Sequence, residues 1–407
     1  MRSRSRNLLL LWALATSTAL TPACSSGSSS STAARPTTTT TTEPPTTTPA
    51  PTTTVPDACA VPSVAVNGPA GESTFVADAG YVTALAWAPD GRLFFADRSG
   101  AIKIASGGKV TEFAHVPTVT AERSGGYSER GLLGLALSPT FGTDHSVYAF
   151  FSRDDYSTQV VVRFTDCAGT ARDQVTLLTL PSGPDCCHKG GRLAFGPDGK
   201  LYVTLGDEHS VDTGTVGSES SVPQEPTDPR GKILRYEPDG SIPADNPFGP
   251  GVAAWATGLR NPFGLAFAPN GDALVTSNGP TGDIGTPSTG YDLAFHVDAG
   301  GRYQWPACYG YSHLVPGAST CLGRPEPDWS SETSTIVPTG ATWVDDRGPA
   351  GEAGHFVFCS ADGMRVFTPG TPHATLSAGP EHCVLDVKQG PDGALYYSDG
   401  TSIYRFG

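Results

Sequence analysis

Four segments of this chain repeat one short design: an apolar run, a Pro-Asp-Gly or Pro-Asn-Gly turn, and a second apolar run. The turn and the second run span residues 88–97, 196–207, 268–276 and 390–399. A turn of this kind between two β-rich runs is a hairpin signal. The repeat therefore predicts at least four β-hairpins and restricts the chain to an all-β fold.

The spacing of the repeat predicts how many units the fold contains. A fifth variant runs from Leu135 to Ser152, so the repeat prolines stand at 89, 139, 197, 269 and 391, with gaps of 50, 58, 72 and 122 residues. The last gap has room for one more unit, which we place around Thr339–Val344 and Gly354–Phe358. Periods near 50 with several hairpins per unit are typical of a β-propeller. We predict six blades around a channel, with a ligand bound where the blade loops converge.

The N-terminus has the pattern of an export signal. Three arginines (Arg2, Arg4 and Arg6) precede an apolar run that ends near Leu20, before Cys24. The run is too short for a stable membrane span, and its order is that of a signal peptide. We predict a lipoprotein-type signal over residues 1–24 and an exported protein held at the membrane by a lipid on Cys24. The alternative is ordinary secretion.

Residues 25–57 are almost entirely Ser, Thr and Pro. Such a segment buries too little apolar surface to offset the cost of ordering it, so we predict a disordered linker. The remaining residues, 58–407, are predicted to be the propeller. The net charge of -14 argues against nucleic acid as a partner, since phosphate binding requires a basic face.

Eight cysteines follow Cys24, and an even number in an exported chain indicates disulfides. Cys308 with Cys321, Cys359 with Cys383 and Cys59 with Cys167 are possible pairs. The neighbours Cys186 and Cys187 then either close on each other or pair with distant partners.

One histidine and one aspartate are predicted to meet at the rim of the channel. His188 precedes the inner strand of the second hairpin, and Asp207 follows its return strand nineteen residues later. A carboxylate that orients an imidazole forms a general-base pair, although such pairs also occur for structural reasons.

Two further groups stand at corresponding positions of the third hairpin. Arg260 and Asn261 precede its inner strand, and Asn278-Gly279-Pro280 follows its return strand. An arginine there stabilises negative charge on an oxygen or forms a salt bridge between blades. The turn carbonyls suit calcium or simply form a turn.

Taken together, these motifs resemble the soluble glucose/sorbosone dehydrogenase family, from about residue 80 to the C-terminus. The family consists of six-bladed aldose dehydrogenases that depend on PQQ, with relatives that resemble hedgehog-interacting protein. The matching strings span residues 129–136, 188–193, 205–207, 231–235, 239–247, 260–267 and 278–280.

The resemblance implies a role for each candidate residue. His188 would take the proton from the sugar hydroxyl while hydride passes to the quinone, and Asp207 would support it. Arg260 would lie at the quinone oxygen. The implied cofactor contacts are Arg260, Asn261 and Asn278, the implied calcium ligands are the carbonyls of Gly279 and Pro280, and the implied substrate contact is Glu129.

One part of the family pattern is missing. The family holds the three PQQ carboxylates with a lysine and two arginines on the late blades, where this chain has Asp362, Cys383 and Leu385. The expected function is a dehydrogenase that depends on PQQ and calcium, acts on a small sugar or alcohol, and passes electrons to an unknown acceptor. The alternative is a ligand-binding or adhesion propeller that has lost the cofactor. A calcium-dependent lactonase shares only the fold.

Overall fold

A computed structural model describes residue 59 and residues 61–123, 125–183 and 185–407. The predicted signal peptide with Cys24 and the predicted linker (residues 25–57) lie outside the described residues. The described part contains six four-stranded antiparallel sheets, which confirms the predicted six-bladed β-propeller. No helix in this part has both the length and the hydropathy to cross a bilayer.

The first three blades are each made of four consecutive strands. After β1 (Glu72–Val76), their strands are β2 (Val82–Trp87), β3 (Leu93–Asp97), β4 (Ala101–Ser106), β5 (Lys109–His115), β6 (Leu132–Leu137), β7 (Ser146–Ser152), β8 (Thr158–Cys167), β9 (Thr170–Pro181), β10 (Leu193–Phe195), β11 (Leu201–Leu205), β12 (Lys232–Tyr236) and β13 (Ala254–Thr257). A short helix, α1 (Phe141–Asp144), joins β6 to β7.

The last three blades contain one insertion. Their strands are β14 (Pro262–Phe267), β15 (Ala273–Ser277), β16 (Leu293–His296), β17 (Cys308–Tyr309), β18 (His313–Leu314), β19 (Trp329–Ser330), β20 (Ala341–Trp343), β21 (Phe356–Phe358), β22 (Arg365–Thr368), β23 (Thr375–Ala378), β24 (Val387–Gln389), β25 (Leu395–Ser398) and β26 (Ile403–Phe406). The pair β17–β18 forms a separate two-stranded sheet inserted between β16 and β19 of blade 4. A 3-10 turn, Asp283–Gly285, lies between β15 and β16.

The repeated turns explain why the hairpins form at these places. In the first turn, the Gly91 amide donates to the Ala88 carbonyl at 3.0 Å, and the Ala88 amide donates to the Arg92 carbonyl at 2.9 Å. Gly91 has a φ of 87°, which only glycine adopts readily. The same two bonds recur around Gly199, Gly271 and Gly393. These are the tight hairpin connections that the sequence predicts.

The ring closes by joining the two ends of the described chain. β1 pairs with β26 in an antiparallel register, with Glu72 opposite Phe406. The last blade is thus completed by the first strand. Six apolar clusters fill the spaces between neighbouring blades, including the space between blades 6 and 1. Because two neighbouring blades contribute to each cluster, the hydrophobic core is divided among the six interfaces between blades.

Four disulfides connect the eight cysteines. The three long-range pairs that the sequence offers are present, as Cys59–Cys167, Cys308–Cys321 and Cys359–Cys383. Cys186 and Cys187 close on each other. Of the two alternatives for the adjacent cysteines, the structure therefore contains the disulfide that joins them to each other.

The central channel has a cavity of about 570 Å³ at each end. Thr83 lines one cavity and Leu85 lines the other, so β2 runs from the first to the second. Between them, Arg192 and Asp386 form a buried ion pair at 3.0 Å, and Asp386 also accepts the Leu85 amide. The end with Thr83 is the one that carries His188.

Candidate functional site

His188 and Asp207 form a buried pair in the wall of the first cavity. Nδ1 of His188 lies 2.5 Å from Oδ1 of Asp207, and the Asp207 side chain is 1% exposed. The other carboxylate oxygen accepts the indole N–H of Trp305 at 2.7 Å. Burial acts to raise the pKa of Asp207, but the charge and hydrogen bond of His188 and the charge of Arg260 lower it below its usual value. The carboxylate therefore stays ionised and fixes the orientation of the His188 imidazole.

Backbone contacts of the rim loops fix the position of this pair. The Asp207 amide donates to the Arg260 carbonyl at 2.7 Å, which ties the loops of the second and third hairpins together. A Cβ at Gly206 would come within 2.1 Å of the His188 carbonyl oxygen. Glycine at 206 is therefore what allows the two rim loops to approach, and this confirms the predicted meeting of His188 and Asp207.

Arg260 lies beside the pair, but its donors are already engaged. Its guanidinium makes two bonds to Asp283, of 2.9 and 2.8 Å, and a further bond to the hydroxyl of Thr281. Nη1 donates to the Gly279 carbonyl at 2.5 Å. Burial acts to raise the pKa of Asp283, but its bonds to Arg260 hold it far below the usual value. Arg260 thus forms an ion pair, but within blade 4 rather than between blades, and with Asp283, a partner that the sequence did not point to.

Glu129, Asn261 and Asn278 lie together on the same wall. The Asn261 amide nitrogen is 3.3 Å from Glu129 Oε2 and 3.2 Å from Asn278 Oδ1. Asn278 in turn donates to the Pro338 carbonyl at 2.9 Å. The structure therefore brings together the residues predicted to contact substrate and cofactor, while the roles themselves stay predictions.

Gly279 and Pro280 also line this cavity. The Gly279 amide donates to Asp292 Oδ1 at 2.8 Å, and its carbonyl accepts from Arg260. Asp292 is buried and also accepts the amides of Ile336 and Val337. Asp292 thus stabilises the backbone of this wall by accepting three amide hydrogen bonds. Calcium binding by the carbonyls of Gly279 and Pro280 stays a prediction. In the described structure, the Gly279 carbonyl accepts from the Arg260 guanidinium.

The adjacent disulfide forms part of the same wall. The Cys186 carbonyl accepts the Glu129 amide at 2.9 Å. Cys187 lines the cavity directly before His188, whose φ of 59° lies in the left-handed region. The disulfide-bonded segment thus connects the loop that carries His188 to Glu129, the predicted substrate contact.

The opposite wall is apolar where the family has its cations. Ala361, Val384 and Leu385 line it, and Cys383 is held in a disulfide. Two cations of the late blades lie elsewhere: Lys388 lines the cavity at the other end of the channel, and Arg365 donates to the Asp362 carbonyl.

Apart from His188, the charged side chains among the described residues lining the first cavity are Arg98, Arg260, Glu129 and Asp292. Two positive and two negative groups sum to no net charge.

His209 is a residue of the site that the sequence analysis missed. Its Nε2 lies 3.0 Å from Nε2 of His188, and its amide donates to Asp207 Oδ1 at 3.0 Å. Burial lowers the pKa of His209, and the neighbouring His188 lowers it further. The sequence signal that could have identified His209 is its position two residues after Asp207.

Comparisons with known proteins point to one family. The sequence profile described as Glucose / Sorbosone dehydrogenase matches residues 81–403. Quinoprotein glucose dehydrogenase B of Acinetobacter calcoaceticus is 33% identical over 255 residues, covering 56% of this chain and 50% of that protein. Aldose sugar dehydrogenase YliI of Escherichia coli K12 is 28% identical over 336 residues, covering 74% and 84%. The PQQ-bound aldose sugar dehydrogenase of Streptomyces coelicolor has a TM-score of 0.62 at 26% identity, covering 83% and 98%.

Proposed function

The chain belongs to the glucose/sorbosone dehydrogenase family, and we propose that it oxidises a hydroxyl group of an aldose sugar or related alcohol, with His188 as the base. The observation that carries the proposal is the buried His188–Asp207 pair in the wall of a cavity of about 570 Å³. A cavity of this size accommodates a small ligand.

Asp207 sets the chemistry of His188. The ionised carboxylate accepts a hydrogen bond from the Nδ1–H of His188, so the lone pair of the neutral ring lies on Nε2. When Nε2 takes a hydroxyl proton, the same carboxylate stabilises the imidazolium, and Trp305 keeps the carboxylate from turning. Glu129 and Asn261 supply polar groups on the same wall that can orient further hydroxyls of the substrate.

The hydride acceptor to test first is PQQ, since the Streptomyces coelicolor relative binds it. If bound, PQQ would supply a quinone as the hydride acceptor. The cavity as arranged does not fit the three carboxylates of PQQ, because its lining carries no net charge and its late-blade wall is apolar. Burial of unpaired carboxylates is costly, so we expect PQQ to bind more weakly than a full cationic clamp would allow. Calcium remains part of this proposal, through Gly279 and Pro280.

We also propose that the protein is exported and anchored through a lipid on Cys24, with plain secretion as the alternative. The four disulfides of the described chain support export, because such bonds persist in oxidising compartments. Labelling cells with a radioactive fatty acid tests the anchor. Label in the wild-type protein but not in Cys24→Ala is expected, and an unlabelled wild-type protein would contradict the lipid.

Reconstitution tests the function. The purified protein is incubated with PQQ and calcium, and reduction of an electron-accepting dye is followed with a panel of aldoses and alcohols. We expect reduction that depends on sugar and PQQ in the wild type and is lost in His188→Gln. Retained activity in His188→Gln would contradict the base, and no reduction despite bound PQQ would contradict the dehydrogenase.

The missing clamp favours a second candidate, a propeller that binds a sugar without oxidising it. Calorimetry with the same panel separates the two. Sugar binding to the apoprotein, with no dye reduction under any cofactor loading, supports the binding protein.

A further inference from the structure

His188 and His209 stand in a wall between two cavities. His188 lines the cavity of about 570 Å³ described above. His209 lines a second cavity of about 450 Å³, together with Asp207, Asp283 and the turn that contains Thr281. Thr281 borders both cavities. The two imidazoles therefore form a bridge from one space to the other.

Four ionisable groups form a line through this wall. Asp207 is 2.5 Å from His188, whose far nitrogen is 3.0 Å from His209. The other nitrogen of His209, Nδ1, is 3.5 Å from Oδ2 of Asp185. The exposed fractions of the side chains rise along the line, from 1% for Asp207 and 3% for His188 to 25% for His209 and 57% for Asp185. The line thus leads from a buried carboxylate to solvent.

The backbone holds His209 in this position. His209 has a φ of 51° and Glu208 a φ of 54°, both left-handed. The His209 amide is bonded to Asp207, and the Glu208 side chain accepts from Lys189 and from the Gly183 amide. Non-glycine residues adopt such conformations where the surroundings enforce them, often at functional sites.

We propose that His209 is the proton relay that returns His188 to its basic form after each turnover. The proposal rests on the proposed function, because it concerns the proton that His188 takes from the substrate hydroxyl. That proton passes from Nε2 of His188 to Nε2 of His209. His209 then releases the proton on its Nδ1 to Asp185 or to water in the second cavity, so no net charge accumulates on either ring. Exchange of the His209 ring protons with that water restores the tautomer with the proton on Nδ1 before the next turnover.

The charged groups around His209 suit a relay. His188, Asp207, Arg260 and Asp283 face it from the rim loops of the second and third hairpins, and Asp185 faces it from the solvent side. Burial lowers the pKa of His209, so the ring is neutral at physiological pH and can accept a proton at one nitrogen while it releases one at the other.

A titration that needs no turnover tests the shared proton. The ring nitrogens of histidine are isotopically labelled, and their NMR signals are followed with pH in the wild type, in His188→Gln and in the control His296→Gln. His296 also pairs with an aspartate, Asp328, but outside the site. We expect the titration midpoint of His209 to rise in His188→Gln only, because the neighbouring His188 lowers the pKa of His209. An unchanged midpoint overturns the relay.

Chemical rescue tests the transfer. At low buffer concentration, His209→Ala should lose roughly tenfold or more of the turnover rate, and added imidazole should restore it. His296→Ala should show neither effect. A loss that imidazole does not restore assigns His209 a structural role and overturns the relay. If the wild type oxidises nothing, the proposed function fails on that result, and the NMR titration alone decides whether the rings share a proton.

Discussion

The two walls of the first cavity differ in kind. On the wall formed by blades 2 to 4, ion pairs and hydrogen bonds hold His188 to Asp207, Arg260 to Asp283 and Glu129 to Asn261. On the wall formed by the late blades, Ala361, Val384 and Leu385 present apolar surface. A chemical step can therefore be positioned on one side, while the other side offers contact area without charge.

The difference separates catalysis from cofactor binding. A polar network orients a base even when no ligand is present, whereas a tricarboxylate needs opposite charges at its own end. The first wall keeps what proton transfer requires. The second wall lacks what would hold PQQ tightly, so affinity for the cofactor is where this chain is expected to depart from its relatives.

The largest expected effect comes from removing the base. His188→Gln should lower the turnover rate by about 10³-fold or more, because the amide cannot take a proton, while sugar affinity changes little. Steady-state kinetics on the reconstituted protein measure this. His296→Gln is the matched control and should behave like the wild type. A similar loss in both variants would mean that the effect is not specific to the site.

The next test adds a charge to the apolar wall. Leu385→Arg should raise the affinity for PQQ by about tenfold, since a hydrogen bond to a charged group contributes about 1.5 kcal/mol or more. Fluorescence titration of the apoprotein with PQQ measures the effect, and Leu385→Gln controls for polarity without charge. An equal gain in both variants, or none in either, would show that charge at this wall does not limit binding.

A smaller effect is expected from the adjacent disulfide. Replacing Cys186 and Cys187 by alanine should change turnover only a few-fold and leave the melting temperature nearly unchanged, because bridging neighbours hardly restricts the unfolded chain. The control replaces Cys308 and Cys321, which are 13 residues apart, and should lower stability by about 3 kcal/mol without affecting turnover. A large loss of stability in the first variant would contradict a purely local role of the Cys186–Cys187 disulfide.

The smallest effect concerns pH. The pKa of His209 lies below the usual value of about 6.5, so below that pH the unfolded chain binds more protons than the folded one and stability falls. For His296, the hydrogen bond to Asp328 raises the pKa above its usual value. His296 therefore stabilises the fold below about pH 6.5, and this contribution is lost as pH rises through the pKa of His296 in the folded protein.

Melting temperatures measured from pH 5 to 8 check both signs. His209→Gln should reduce the loss of stability in acid, whereas His296→Gln should increase it. The opposite result for either histidine would contradict the corresponding pKa shift.

Local chemistry in the sequence was sufficient to predict the fold. Each Pro-Asp-Gly turn specifies a hairpin through its own backbone, as at Gly91, and the spacing of the turns predicts six blades. The meeting of His188 and Asp207 followed for the same reason, because the two ends of one hairpin lie at one edge of its sheet. These predictions needed no knowledge of how distant loops pack.

Only the tertiary structure decided the contacts between loops. The Asp207 amide donates to the Arg260 carbonyl and Asn261 reaches Glu129, although neither hairpin alone brings these loops of different blades together. Ring closure also sets which residues of blades 5 and 6 face the cavity, and it left Leu385 there while Lys388 faces the opposite end. The physical reason is that a turn depends on the conformation of a few adjacent residues, whereas the charge of a cavity wall depends on how side chains far apart in the chain pack together.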